Sequence, residues 1–328
     1  MGRIEGRTLA VLLGCYLTWG FGVTWLAGHS LWQAVALVTV AICLHSSLRH
    51  EAIHGHPTDN ARLNAVLVFP ALDLLVPWGR FRDTHLAHHR DAQLTDPYDD
   101  PESNYLDPAN WAALPGWAQA VLRLNATAAG RMVLGPGIGM IAFLRADLAA
   151  VRAGVAGIAS AWGWHLPGAA LVVGVLALWG QMPWWAYGLA VYLSMALLKL
   201  RTFLEHRAHA LSRARTAIVE DRGPLAFLFL NNNLHVVHHM HPDVAWYDLP
   251  ARYRAGRARY LACNEGYVYR SYGEVLRRHL WQQKEPVAHP LYPWSDTGDA
   301  AGLPTVIAPV VSLAEAAAIA RPTRPEPL

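Results

Sequence analysis

The chain alternates long apolar runs with polar segments, and four of the runs are candidates to cross a bilayer. Span 1 is Leu9–Ala27, span 2 is Leu31–Leu48, span 3 is Pro167–Met182 with a start as early as Trp162, and span 4 is Trp184–Leu200. A helix of about 20 predominantly apolar residues crosses the ~30 Å hydrocarbon core. The pattern predicts an all-α integral membrane protein with four transmembrane helices.

Basic residues at the ends of these runs predict their orientation. Arg3 and Arg7 precede span 1, Arg49 follows span 2, and Lys199 and Arg201 end span 4. Because Lys and Arg concentrate on the cytoplasmic side of membranes, both termini are predicted to be cytoplasmic. Span 1 is longer than the apolar core of a signal peptide, and a second span follows at once, which favours a retained helix.

The segments between spans 2 and 3 do not fit a crossing. Leu63–Val76 is apolar but short, and the residues between His54 and His85 are too few for two full spans. This segment is predicted to be re-entrant or interfacial, with its polar backbone buried by protein. Trp111–Leu124 and Met132–Leu144 are predicted to be interfacial helices.

The same patterns divide the chain into three parts. Residues 1–250 are predicted to form a membrane-embedded catalytic domain. Residues 251–297 are predicted to be a cytoplasmic helical extension, with one helix over Tyr267–Leu280. Residues 298–328, rich in Ala and Pro, are predicted to be a loosely ordered tail with a short helix around Ala316.

Composition agrees with a membrane protein and excludes several functions. Hydrophobic residues make up 53% and charged residues 16% of the chain, against about a quarter charged in soluble domains. The net charge of +3 comes from scattered residues, so no nucleic-acid partner is expected. The three cysteines have no Cys-x-x-Cys spacing, so electrons for any redox reaction must come from another protein.

Three histidine clusters with helical spacing provide the candidate chemistry. They are His50 and His54, then His85, His88 and His89, and then His235, His238 and His239. Positions i, i+3 and i+4 share one helix face, so each cluster can direct its imidazoles to one point. Imidazole is a ligand for iron, zinc and copper. We therefore predict a two-metal site that caps the bundle on its cytoplasmic side.

Residues elsewhere in the chain are candidates to complete or support this site. His206 and His209 follow span 4, and His206 is favoured as the extra ligand because it stands nearer the membrane end. Outer residues can accept the second N–H of ligand histidines and so fix their tautomer. The candidates for this role are Asp91, Asp96, Glu205 and Asn232.

Two other metal sites compete with this interpretation. His50-Glu51-Ala52-Ile53-His54 fits the His-Glu-x-x-His pattern of zinc metalloproteases, with Glu51 as general base. That hypothesis leaves the other two clusters unexplained. A carboxylate di-iron bundle requires two Glu-x-x-His pairs, and only Glu51 and His54 form one here.

The three histidine boxes, in this order around four spans, resemble the membrane fatty acid desaturase superfamily, which includes desaturases, hydroxylases and carotenoid ketolases. The resemblance covers most of residues 30–250. The strings Leu-Thr-Asp-Pro after the second box and Asn-Asn-Leu-His at the third are most similar to bacterial members labelled hydrocarbon oxygenases.

The resemblance implies a cofactor, a reaction and partners. In the family the matching histidines bind two irons (Fe2+/Fe3+) at the cytosolic face and use O2 as co-substrate. The expected reaction is desaturation of a fatty-acyl or similar lipophilic chain, with hydroxylation or ketolation of a hydrocarbon or carotenoid as the alternative. The substrate would enter from the bilayer, and a ferredoxin, rubredoxin or cytochrome-type carrier with its reductase would supply electrons. The expected location is a bacterial inner membrane.

Overall fold

The computed structural model describes residues 4–91 and 93–293. Within these residues, four helices are long and apolar enough to cross a membrane, which confirms the predicted all-α class and the four spans. Their bounds are Gly6–His29, Leu31–Ile53, Ile158–Leu178 and Trp184–Glu205. The first contains one π-helical turn, Gly22–Leu26.

The two ends of this bundle differ in chemistry. Residues 8–48 and 153–198 contain no Lys or Arg, so the turns between spans 1 and 2 and between spans 3 and 4 are uncharged. Tryptophans are exposed near these turns, as is typical of a membrane interface. They are Trp25, Trp32, Trp179, Trp184 and Trp185. The opposite end carries the flanking arginines and all three histidine clusters.

Shorter elements surround the histidine end. The helices are Ala61–Leu67, Trp78–Arg90, Pro108–Ala113, Gly116–Asn125, Ala128–Val133, Gly135–Arg152, Pro224–Leu228, His235–Met240, Leu249–Cys263 and Tyr272–His279, with a 3-10 turn at Ser212–Ala214. Strands Ile218–Val219 and Val268–Tyr269 pair in parallel. The two predicted interfacial helices are thus each divided in two, at residues 114–115 and at Leu134.

The segment predicted to be re-entrant enters the bundle as irregular chain after the helix Ala61–Leu67. Leu72 is fully buried, and its carbonyl accepts a hydrogen bond from Tyr187 Oη at 2.6 Å. The amide of Ala71 donates to the carbonyl of Gly168 in span 3 at 3.2 Å. The polar backbone is therefore covered and bonded by protein, as the sequence required.

This close contact gives a test of the fold. A Cβ atom at Gly168 would lie 2.7 Å from the carbonyl oxygen of Phe69, whereas one at Gly174 on the same helix would meet no atom within 4 Å. We expect Gly168→Ala to destabilise the protein by about 1–3 kcal/mol, because the buried backbone must shift. Thermal unfolding in detergent measures this, with Gly174→Ala as the control. Equal midpoints for the two variants would contradict the packing of this segment.

The segment after residue 249 packs onto the rest of the chain. Helix Leu249–Cys263 crosses residue 250 and buries Tyr253 and Tyr260 against Val236 and Val237. The predicted single helix over 267–280 is wrong, because Val268–Tyr269 pairs with Ile218–Val219 and the helix begins only at Tyr272. The expected tail over 298–328 lies outside the described residues.

Candidate metal centre

Four separate elements bring the predicted histidines to one end of the bundle. His50 lies in the last turn of span 2, and His54 follows its end. The second box lies on Trp78–Arg90 and the third on His235–Met240. His206 follows the last residue of span 4. Residues more than 180 positions apart therefore meet because two spans end at the same level and two short helices lie across them.

The nine rings form two groups rather than one group per box. Within each group, one nitrogen of every ring lies within 4.8 Å of those of the others. The first group is His50, His54, His85, His89 and His238, and the second is His88, His206, His235 and His239. The expectation that each box points to a single site is therefore wrong for the second and third boxes. Each gives its i and i+4 residues to one group and its i+3 residue to the other.

Spacing between the ring nitrogens fits a shared cation. The Nε2 atoms of His54 and His85 are 3.0 Å apart, and those of His89 and His238 are 3.1 Å apart. In the second group, the separations from His206 Nε2 are 3.0 Å to His88 and 3.2 Å to His235. Imidazole nitrogens at right angles around one metal, each about 2.1 Å from it, lie ~3.0 Å apart.

An orphaned nitrogen supports the same conclusion. His50 Nε2 is buried and has no hydrogen-bond partner among the described residues. A buried polar atom without a partner is unfavourable, and a bound metal would satisfy it. The donor set is entirely imidazole, which suits iron, zinc or copper better than magnesium or calcium. The residues present thus fit two metal ions.

Carboxylates hold two of the rings from outside. His85 Nδ1 donates to Glu102 at 2.9 Å, and His88 Nδ1 donates to Asp100 at 2.7 Å. Because a proton occupies Nδ1, the Nε2 lone pair of each ring is directed into its group, which is the tautomer that a metal ligand needs. Asp100 is fully buried, so this contact is shielded from water.

These contacts correct the expected roles of Asp91 and Asp96. Asp91 accepts a hydrogen bond from the amide of Gln93, and Asp96 accepts bonds from the amides of Tyr98 and Asp99. Both therefore shape the loop backbone, whereas Asp100 and Glu102, later in the same acidic run, contact the histidines. The sequence predicted that carboxylates after the second box support its histidines, but which of them turn inward depends on the folded path of the loop.

Asn232 and Glu205 lie beside the second group, as the sequence suggested. His235 Nδ1 donates to the side-chain carbonyl of Asn232 at 2.9 Å. The Asn232 amide in turn donates to Glu205 at 3.3 Å, and Glu205 pairs with Arg201 at 2.9 Å. The charge of Glu205 is thereby balanced, and the orientation of His235 is fixed through a neutral amide.

His206, not His209, lies among the clustered rings. His209 Nδ1 accepts a bond from the amide of Leu211, and its Nε2 lies 3.6 Å from Glu265. Lys284, which sequence reasoning did not single out, donates to the carbonyl of His206 at 2.5 Å. Lys284 and His206 are 78 positions apart in the sequence, so no local sequence pattern could predict this contact.

Burial and mutual proximity govern the protonation of the rings outside the spans. Burial and the neighbouring His85 and His88 lower the pKa of His89 to about 3. Burial also lowers the pKa of His88, but Asp100 and Glu102 outweigh it and raise the value to about 10, so a cation at Nε2 would have to displace a proton. Burial and adjacent rings lower the pKa values of His235, His238 and His239.

A cavity of about 390 Å³ adjoins the second group. It lies between the helices Gly116–Asn125 and Gly135–Arg152 and reaches His206. Its volume falls in the range of roughly 300–1,000 Å³ that is typical of small-molecule sites. Among the nine clustered histidines, His206 is the one that lines the cavity, so a molecule held there would lie beside His206.

Comparison with known proteins identifies the family. Residues 23–273 match the model of the family described as fatty acid desaturase. The chain is also similar to a beta-carotene ketolase from Paracoccus sp. (strain N81106 / MBIC 01143), with 24% identity over 230 residues that cover 67% of this chain and 74% of the ketolase. The family match contains both histidine groups and three of the four spans in full. The chain therefore belongs to the fatty acid desaturase family.

Proposed function

We propose that this protein is a membrane di-iron oxidoreductase that uses O2 and external electrons to desaturate a fatty-acyl or similar lipophilic chain. The observation that carries the proposal is the pair of histidine groups, five rings and four rings, at one end of a four-span bundle. The ring nitrogens are spaced as ligands of shared cations. Family membership favours iron and a lipid-like substrate.

The residues of the chain have distinct parts in this proposal. Two irons, when bound, would supply the redox chemistry that activates O2 against an unactivated C–H bond. The nine histidines would hold them, while Asp100, Glu102 and Asn232 keep a proton on Nδ1 of the rings they contact. The apolar cavity would position the lipophilic substrate and exclude water from it.

Electron supply and orientation are also proposed. The three cysteines are unpaired and show no redox spacing, so a ferredoxin, rubredoxin or cytochrome-type carrier with its reductase would deliver electrons. Basic residues flank the spans at the histidine end and are absent from the turns at the other end, which favours a cytoplasmic site and cytoplasmic termini. A bacterial inner membrane suits this arrangement.

Oxygen insertion is the second candidate reaction. The relative from Paracoccus is named a beta-carotene ketolase, which favours hydroxylation or ketolation on the same scaffold. Desaturation and oxygen insertion begin with the same hydrogen abstraction, and the position of the substrate carbon decides between them. Product analysis therefore separates them.

The test combines metal analysis with product analysis. The purified chain should contain about two irons. With O2, ferredoxin, reductase and a mixture of acyl chains and alkanes, it should consume O2 and form an unsaturated product. A hydroxylated or keto product would favour the second candidate. One zinc per chain, or no O2 consumption with any of these substrates, would contradict the proposal.

Glu51→Gln tests the zinc protease hypothesis directly. Glu51 is buried, and its Oε2 accepts a hydrogen bond from the amide of Trp246 at 3.1 Å, so this oxygen supports the backbone. A glutamine keeps this acceptor, so we expect iron content and oxidase activity to remain within a few-fold of the wild type. A protease that uses Glu51 as general base would lose its activity by roughly 10²–10⁴-fold.

A further inference from the structure

The cavity beside His206 has apolar walls that continue to the outside of the protein. Trp117 and Val121 line one side, and Ile138 and Ile141 line the other. Trp117 is 74% exposed and Ile141 is 61% exposed, so the apolar surface extends from the cavity to the surface of the bundle. The apolar tail of a ligand can therefore lie between the helices Gly116–Asn125 and Gly135–Arg152.

Arg131 is a buried cation in the wall of the same cavity. Arg131 is only 7% exposed. The guanidinium donates to the carbonyl of Asn125 at 3.0 Å and to the side-chain carbonyl of Asn104, both of which are neutral. Within residues 4–91 and 93–293 no carboxylate forms an ion pair with it. Burial lowers its pKa to about 10, which leaves it charged at neutral pH.

The other charged residues of the lining do not compensate for this cation. Lys284 and Glu285 lie 3.3 Å apart and balance each other. Arg145, on the exposed part of the lining, adds a further positive charge. The cavity thus combines apolar walls with an excess of positive charge, and a buried charge without a counter-ion is unfavourable unless a ligand supplies one.

We infer that this cavity binds an amphiphilic substrate whose anionic head group, a carboxylate or a phosphate, pairs with Arg131 while its apolar tail lies between the two helices. The inference rests on the proposed function, since it names the substrate class of that site. A guanidinium binds either anion through two parallel hydrogen bonds. Neutral alkanes and carotenoids lack the group that Arg131 would recognise.

The arrangement also has a consequence for the position of oxidation. Arg131 and His206 line one cavity, so a head group held at Arg131 fixes which part of the tail lies beside the second histidine group. The reacting carbon is then selected by its distance from the head group rather than from the far end of the tail. Arg131 is in this sense a specificity-determining residue.

Binding can be measured without turnover. The full chain is loaded with iron, placed in nanodiscs of zwitterionic lipid and kept anaerobic, and radiolabelled decanoate, decyl phosphate and decanol are compared, with empty nanodiscs as the blank. We expect one of the anionic probes to bind at least about tenfold more tightly than decanol. Preference for decanoate would identify a fatty acid, and preference for decyl phosphate a phosphorylated lipid.

Variants assign the preference to Arg131. Arg131→Gln should lose the preference for the anion and keep its affinity for decanol, whereas Arg131→Lys should keep most of the preference because the charge remains. Arg123→Gln, on the helix that forms one wall but outside the lining, is the control. Equal binding of decanol and both anions by the wild type, or an undiminished preference in Arg131→Gln, would overturn the inference.

Iron analysis of the same samples separates this inference from the proposed function. A wild-type chain that contains iron but shows no preference for anions would contradict the head-group site alone. A chain that prefers anions but binds no iron would contradict the oxidase function and leave the head-group site intact.

Discussion

Replacing His88 or His238 with alanine is expected to lower activity below roughly one hundredth of the wild-type rate, because loss of a ligand exceeds the 10–100-fold effect of losing an outer contact. The two rings belong to different groups. His238 Nε2 lies 3.1 Å from that of His89, and His88 Nε2 lies 3.0 Å from that of His206. Each substitution removes one imidazole from one group and leaves the other group complete. If two irons act together, both variants should be inactive, although each variant should keep about one of the two irons.

Mass spectrometry of the metal and product analysis measure these effects. His165→Ala is the matched control, because His165 is also buried but lies apart from both groups, and its Nε2 donates to the carbonyl of Leu74 at 3.1 Å. This variant should keep its iron and its activity. Activity in either His88→Ala or His238→Ala close to that of the wild type would rule out the two-metal arrangement, as would full iron content in both.

The spans were predictable because the signal is local. An apolar run long enough for the bilayer, bounded by charges, specifies a membrane helix without knowledge of its neighbours. The ends were less predictable. Span 2 was expected to end at Leu48, but the helix continues to Ile53. Its last residues are polar yet buried by protein, as Arg49 pairs with Asp73 at 2.7 Å, and hydropathy cannot distinguish burial by protein from burial by lipid.

The histidines of the candidate site were predictable from spacing, whereas their division into two groups was not. Helical spacing places residues i and i+4 on one face, and His85 with His89 follow this rule. Position i+3 lies on the same broad face but on the opposite side of residue i from i+4, and His88 reaches the other group because the third-box helix and His206 approach from that side. The division therefore depends on how separate helices cross, which no local pattern records.

The residues around the histidines were predictable only in part. Asn232 stands three residues before His235 and was found because that contact is local. Lys284 contacts His206 and Arg131 lines the cavity from distant parts of the chain, so no local pattern indicated either residue. Asp91 and Asp96 were predicted to contact the histidines, but Asp100 and Glu102 do so, because the path of the loop is not visible in a local pattern.

Asp100→Asn should reduce iron affinity at the second histidine group by about 10–100-fold. Both carboxylate oxygens of Asp100 act as acceptors. Oδ1 receives His88 Nδ1 at 2.7 Å and the amide of Glu102 at 2.8 Å, and Oδ2 receives the amide of Thr95 at 2.8 Å. An asparagine has one acceptor oxygen, so either orientation of its amide sets an N–H group against another donor in a fully buried site.

Chelator competition followed by metal analysis distinguishes a positioning role from a structural one. Asp96→Asn is the matched control, because Asp96 is also buried and also bonds loop amides, those of Tyr98 and Asp99. Both variants should lose some thermal stability, since each weakens the loop. Only Asp100→Asn should release iron more readily, from about two per chain toward one, because only Asp100 keeps the Nε2 lone pair of His88 directed at its group. Equal iron retention by the two variants would mean that Asp100 supports the loop and does not set the tautomer of His88.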